Sequence, residues 1–200
     1  MTPQPPLFEL HRHWPTVFWL SYSGWGLMEA WIFSRDLRGA KGQRRDRGSL
    51  PFLALLIFAG LFGAFLAVHS LPAARIGLPP VPLFWVAVAL IWLGMALRIW
   101  AVVTLGRFFR ITVFLQEDHV LIDHGPYRRL RNPSYTGGLV SMIGIGLGLG
   151  NWLSLALAVG GLLIGYLKRI DVEEKALREH FGEAYEAYAR RRWALIPPIW

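Results

Sequence analysis

Apolar residues gather along the chain in five runs, at positions 17–33, 51–69, 83–103, 138–150 and 152–167. A hydrocarbon core about 30 Å thick takes roughly 20 helical residues to cross, so the first three runs predict membrane helices. The last two runs are shorter, and only Asn151 separates them. They predict a tight helical hairpin that stops short of a full crossing or crosses where the bilayer is thinned. From Lys168 to Phe181 the pattern changes, with Ile170, Leu177 and Phe181 marking one apolar face among charged residues. That periodicity predicts an amphipathic C-terminal helix on the cytoplasmic side, and Pro197-Pro198 stops the helical pattern. The predicted fold class is an all-α integral membrane protein with about five transmembrane helices, the last two a short helical hairpin, plus the amphipathic helix.

Composition supports the membrane reading, because 54% hydrophobic and 17% charged residues in a 200-residue chain exceed what one soluble core needs. Ten tryptophans fit it as well, since an indole suits the headgroup layer. Cysteine is absent, which excludes thiol catalysis, disulfides and Cys-ligated zinc. The net charge of +8 raises nucleic acid as a partner. The arginines, however, stand in short loops beside apolar runs, so anionic lipid headgroups are the expected partner and nucleic acid is not. Six Lys and Arg fall in residues 35–47, five in 106–131 and seven in 168–192, against Arg12 and Arg75 on the other side. Basic residues are retained in the cytoplasm, which predicts an N-terminus outside and a C-terminus inside. A charged segment before the first apolar run is missing, so no cleavable signal peptide is expected. Arg98 lies near the cytoplasmic end of the third run, where snorkelling is favoured over a pair with Glu29. Residues 1–103 read as a three-span membrane anchor and residues 104–200 as the region carrying the chemistry, within one integrated domain. The oligomeric state is not legible.

The second region holds the chemically interesting residues. Gly144, Gly146, Gly148 and Gly150 alternate with apolar positions, but they lie inside a helical run and not after a strand. Close helix packing is therefore the expected role, not dinucleotide binding. His11 and His13, and likewise His119 and His124, lack further ligands at recognisable spacing, so no metal site is predicted. Arg169 and Glu173 are four apart and share a helical face where the fifth run meets the cytoplasm, which by spacing alone predicts an ordinary ion pair. Between the third and fourth runs, residues 124–135 crowd Arg128, Arg129 and Arg131 with Tyr127 and Tyr135 beside a Gly-Pro turn.

Taken in order, Leu105-Gly106-Arg107-Phe108, Gln116, Gly125-Pro126-Tyr127-Arg128, Arg131-Asn132-Pro133-Ser134-Tyr135-Thr136-Gly137, Arg169 with Glu173-Glu174, Phe181-Gly182-Glu183-Ala184-Tyr185 with Tyr188, and Leu195-Ile196-Pro197 resemble the isoprenylcysteine carboxyl methyltransferase family of integral membrane methyltransferases. The resemblance covers roughly the second half of the chain and says little about the first three spans. It implies S-adenosyl-L-methionine as cofactor, bound on the cytoplasmic side by Gln116, by His119, Val120, Leu121 and Ile122, by Tyr127, by Asn132, Pro133, Ser134 and Tyr135, and by Glu173. It implies that Arg169 contacts the substrate and that Arg169 and Glu173 form the catalytic pair. The acceptor it implies is a lipophilic or lipidated carboxylate that enters from the membrane. The family usually has histidine where this chain has Asn132. An amide can still donate and accept hydrogen bonds but cannot transfer a proton at that position.

Three other readings stay open at this stage. A phospholipid amine or a small thiol could replace the carboxylate; an amine acceptor needs a general base, for which His119 and His124 are the histidine candidates. A membrane reductase that uses NADPH shares the Asn-Pro-x-Tyr corner. A non-enzymatic membrane scaffold would explain the spans and the basic loops alone.

Overall fold

The computed structural model describes residues 5–38, 48–110 and 120–198. Six α-helices form among them: α1 (Trp14–Arg38), α2 (Ser49–Ser70), α3 (Pro80–Leu105), α4 (Pro133–Leu149), α5 (Trp152–Phe181) and α6 (Glu183–Ala189). No strand forms among the described residues. Local sequence sets the ends. Pro80 and Pro133 sit in the first turns of α3 and α4, where a missing N–H costs nothing. Gly150 turns α4 off with φ +73°, and the Asn151 side chain then caps α5 by accepting from Leu153 N at 2.9 Å and Ser154 N at 3.1 Å. The Asn151 amide also donates to Leu71 O at 2.9 Å, which ties the α4–α5 turn to the end of α2.

Among the described residues three helical stretches are long and apolar enough to cross a membrane: residues 49–70, 80–108 and 152–181. Their outer faces carry large apolar side chains that no protein group covers, such as Phe58 and Leu93 at 70% and 63% exposure. A soluble domain does not leave such surface in water. α3 packs on α4 and α2 on α5, and small residues allow both contacts. A Cβ on Gly137 would stand 2.6 Å from Gly94 O, and one on Gly144 would stand 2.6 Å from Ala87 O. Gly60 and Gly161 do the same between α2 and α5, each with less than 3 Å to a carbonyl of the other helix. Close packing is therefore what the glycine run does, as its setting predicts.

α4 and α5 turn tightly about Asn151 as expected, whereas the short second arm and the separate amphipathic helix need revision. α4 has 17 residues, about 25 Å at 1.5 Å per residue, which is short of a full crossing. α5 instead runs unbroken for 30 residues through the segment 168–181. Neither Gly nor Pro interrupts the chain between Tyr166 and Phe181. Ion pairs four apart, Arg169–Glu173, Asp171–Lys175 and Glu174–Arg178, favour continuing the helix. The charged segment is thus the end of α5.

Candidate active site

The helices alternate in direction, so the ends of α1 and α3 meet the starts of α2 and α4 at one end of the bundle. The 166–173 stretch of α5 joins them there. These elements enclose a cavity of about 540 Å³. Leu53, Ile57, Phe58, Leu61 and Leu162 make its membrane-side walls apolar, whereas Tyr127, Asn132, Ser134, Tyr135, Arg169 and Glu173 gather at its head.

Because α5 does not break, Arg169 and Glu173 project one turn apart into this head. Arg169 Nε stands 2.9 Å from Glu173 Oε1 and donates to the Tyr135 hydroxyl at 2.9 Å. The Tyr135 hydroxyl in turn donates to Glu173 Oε1 at 2.5 Å. Arg169 Nη1 donates to Ser49 Oγ, at the first residue of α2, at 3.1 Å. The Arg169 side chain is 1% exposed, so this is no surface pair of the weak kind that spacing alone implies. The Tyr135 ring packs on Tyr166 at 4.5 Å between centroids, fixing the hydroxyl between acid and base.

Arg98 does not snorkel. Its Nη2 donates to Glu29 Oε2 at 2.7 Å, its Nε lies 2.6 Å from Glu29 Oε1, and its Nη1 donates to both Ser134 O and Ser134 Oγ at 3.0 Å. The physical reason is reach. Gly94 and Gly137 let α3 and α4 approach so closely that Arg98 is enclosed between α1 and α4 before it can extend to the headgroups. A buried guanidinium then requires a carboxylate and further acceptors, and Glu29 and Ser134 provide them.

The segment after residue 119 is held by the C-terminal tail. Trp193 N donates to Arg129 O at 3.0 Å, and Arg131 N donates to Trp193 O at 2.8 Å. The Asn132 amide donates to Ala194 O at 3.0 Å, and Thr136 Oγ1 donates to Leu195 O at 2.7 Å. Arg192 Nε donates to Tyr127 O at 2.9 Å, with its guanidinium 4.0 Å from the Tyr188 ring centroid. Arg131 Nε stands 3.3 Å from Glu174 Oε1, so this arginine faces α5 and not the headgroups its loop position suggests. Burial raises the Tyr127 and Tyr185 phenols above their usual range and pushes Tyr188 up to about 12. All three are neutral at pH 7.

Of the site residues expected from sequence, Val120, Leu121, Ile122, Tyr127, Asn132, Ser134, Tyr135, Arg169 and Glu173 line the cavity. Pro133 is buried in the first turn of α4 and sets the helix start behind the wall. Gln116 and His119 lie outside the described residues. Glu29, Ser49, Arg98 and Arg192 were absent from the expected set. For Glu29 and Arg98 the signal was present: opposite charges inside apolar runs, at matching depth. Ser49 and Arg192 carry no such signal, because each acts through a partner more than sixty residues away.

A family model described as phospholipid methyltransferase matches residues 82–184. The chain is 38% identical over 117 residues to the probable protein-S-isoprenylcysteine O-methyltransferase of Oryza sativa subsp. indica, covering 58% of this chain and 61% of that one. It is 35% identical over 115 residues to the protein-S-isoprenylcysteine O-methyltransferase of Schizosaccharomyces pombe, covering 56% and 49%. Among solved structures it is similar to the eukaryotic intramembrane Ras methyltransferase ICMT (isoprenylcysteine carboxyl methyltransferase). That match has a TM-score of 0.61 and 28% identity, over 74% of this chain and 53% of the other. The chain therefore spans half to three fifths of the length of these relatives.

Proposed function

Since the chain belongs to the phospholipid methyltransferase family, we propose that it is an integral membrane methyltransferase that uses S-adenosyl-L-methionine to methylate the carboxylate of a lipophilic, prenylcysteine-like acceptor. One observation carries the reading: Arg169, Tyr135 and Glu173 are bonded together at the head of a cavity whose membrane-side walls are apolar. A polar head on a greasy stem suits an acceptor that is charged at one end and lipid at the other. The named relatives act, by their names, on isoprenylcysteine.

The residues present fit the cofactor. Glu173 supplies a carboxylate for its ammonium, and the neutral rings of Tyr127 and Tyr135 suit its cationic end or its adenine, each cation–π contact contributing about 0.5–2 kcal/mol. The non-helical backbone at Val120, Leu121 and Ile122, with Asn132, Pro133 and Ser134 beside it, completes the wall. Gln116 and His119 extend the proposed set. When bound, S-adenosyl-L-methionine supplies an electrophilic methyl carbon on a sulfonium centre.

Arg169 orients the acceptor carboxylate by charge-assisted hydrogen bonds and offsets its desolvation. That carboxylate is already ionised at neutral pH, so no general base is required. The apolar walls exclude water and leave alignment as the main task of the site.

In this reading five helices enter the bilayer, the N-terminus lies outside, and the cavity head faces the cytoplasm. The basic clusters at 35–47, 106–131 and 168–192 flank that head in sequence, and their members other than the cavity-lining Arg110 and the inward-bonded Arg131, Arg169 and Arg192 meet anionic lipid headgroups. The test uses purified protein in nanodiscs. S-adenosyl-L-methionine binding and methyl transfer to N-acetyl prenylcysteine are expected. Preferential NADPH binding, or transfer to lipid amines alone, overturns the proposal.

A further inference from the structure

Arg98, Arg110, Arg131 and Arg169 line the cavity. Three of them have a glutamate. Arg98 Nε stands 2.6 Å from Glu29 Oε1, Arg131 Nε 3.3 Å from Glu174 Oε1 and Arg169 Nε 2.9 Å from Glu173 Oε1. Arg110 has no such partner among the described residues. Its Nη1 reaches only the carbonyl of its own neighbour Phe109, at 3.4 Å, which is beyond the usual range of an N–H···O bond. Its Nε is covered by protein and has no hydrogen-bond partner among the described residues.

Local structure explains how a lone cation comes to stand here. α3 ends where Gly106 takes φ +55°, a short turn over 106–108 follows, and Phe109 is extended with ψ 124°. Phe108 and Phe109 also line the cavity, and Phe109 packs on the buried core. The chain is thus pinned at Phe109, and Arg110, just beyond the end of α3, is held against the cavity at its head end. A guanidinium kept at such a wall loses hydration that an opposite charge restores. Its planar fork of donors matches a carboxylate.

The reaction brings two carboxylates into one cavity. Under the proposed function Arg169 takes the acceptor's, and Glu173 takes the ammonium of the methyl donor. The donor's own carboxylate is then left without a partner, and the cavity wall holds one arginine without an acid. We infer that Arg110 holds the carboxylate of the methyl donor. This rests on the methyltransferase reading and adds a positioning contact within it. Because the donor's ammonium and carboxylate share one carbon, Glu173 and Arg110 fix that end at two points. Separate guanidinium groups for the two carboxylates also keep the acceptor from occupying the donor's place.

Equilibrium binding to nanodisc-embedded protein, without acceptor, tests this. S-adenosyl-L-methionine and its decarboxylated form, which keeps the sulfonium, amine, ribose and adenine, are titrated calorimetrically. Hydrogen bonds between charged groups discriminate by about tenfold or more, so the wild type is expected to bind S-adenosyl-L-methionine at least about tenfold tighter. In Arg110→Gln the ratio is expected to fall within about twofold, through lost affinity for the carboxylate-bearing ligand alone. Arg110→Lys, which keeps the charge without the fork, is expected to give an intermediate ratio. Arg110→Ala takes the place of the glutamine variant if that one does not fold. Equal affinities in the wild type overturn the inference, and are the result expected if Arg110 meets a lipid phosphate instead. A ratio that survives in the neutral variants also overturns it and passes the carboxylate to another arginine. Equal weakening of both ligands does so too, since that is the mark of a merely structural role. Binding of S-adenosyl-L-methionine without preference leaves the methyltransferase reading standing and removes only this inference, whereas failure of both ligands to bind the wild type removes both.

Discussion

Arg98 and Arg169 are both buried arginines paired with a glutamate on the wall of one cavity, yet they are built on opposite plans. Arg169 and Glu173 come from a single turn of α5, and Tyr135 joins them from α4. Arg98 and Glu29 come from different helices, 69 residues apart, and Ser134 of a third helix completes their set. Glu173 keeps a hydrogen bond from Tyr135 whether or not Arg169 is present. No second partner for Glu29 is observed among the described residues. Under the proposed function one arginine offers its charge to a ligand, whereas the other holds α1, α3 and α4 in register.

This contrast predicts which variant unfolds and which fails to turn over. Arg98→Ala leaves Glu29 as a half-buried, unpaired charge, which costs up to about 3–5 kcal/mol. Thermal unfolding in detergent should show a large drop in midpoint or no folded protein. A midpoint close to wild type would mean that Glu29 has another partner. Arg169→Ala should cost less stability. Under the proposed function it lowers kcat/KM by about 10²–10³-fold, the range for truncating one partner of a buried charged contact, while calorimetric affinity for S-adenosyl-L-methionine stays within a few-fold. Glu173→Ala should reverse that pattern and weaken the cofactor first.

The same contrast explains which parts of the site are legible in the sequence. A pair four residues apart on a continuous helix is visible in a string of letters, as are Tyr127 and the Asn132 to Tyr135 corner. Glu29 and Arg98 were visible only as two charges in apolar runs. The choice between snorkelling and pairing depends on how near α3 comes to α4, and Gly94 and Gly137 set that distance. The family match begins at residue 82, so it carries Arg98 but neither Glu29 nor Ser49. Hydropathy falls at Lys168 and makes the fifth apolar run look short, but helical backbone does not stop where hydropathy does. On the tail side Trp193, Ala194 and Leu195 bond through backbone groups, and no residue type announces those.

The tail sharpens the comparison from a weaker side. Asn132 lines the cavity, yet its amide donates away from it, to Ala194 O. Asn132→Ala removes one uncharged hydrogen bond, about 0.5–1.5 kcal/mol. Amide exchange at residues 193–195 should speed up correspondingly, with a milder loss of cofactor affinity than Glu173→Ala causes. Asn132→His keeps a ring N–H donor and should recover slow exchange in the tail. If neither variant changes that exchange, Asn132 is not the latch its bond to Ala194 implies.

The smallest effect concerns pH, and it tests whether the head of the cavity is tuned by neutral phenols as well as by ion pairs. Tyr127, Tyr185 and Tyr188 are all raised by burial, Tyr188 to about 12. Below the unfolded value near 10 both states hold these protons, so the tyrosines give stability no slope. Above it the unfolded chain releases protons that the folded chain retains. The unfolded state then binds fewer, and stability falls as pH rises. Unfolding midpoints should therefore lose no stability to tyrosine between about pH 7 and 10 and decline from about 10 toward 12, with a shallower decline in Tyr185→Phe. A carboxylate acceptor adds no titration of its own in the neutral range, so kcat/KM should stay level from about pH 6 to 9. An amine acceptor would make it climb as the ammonium loses its proton, which would transfer the weight of the site from Arg169 to an unidentified base.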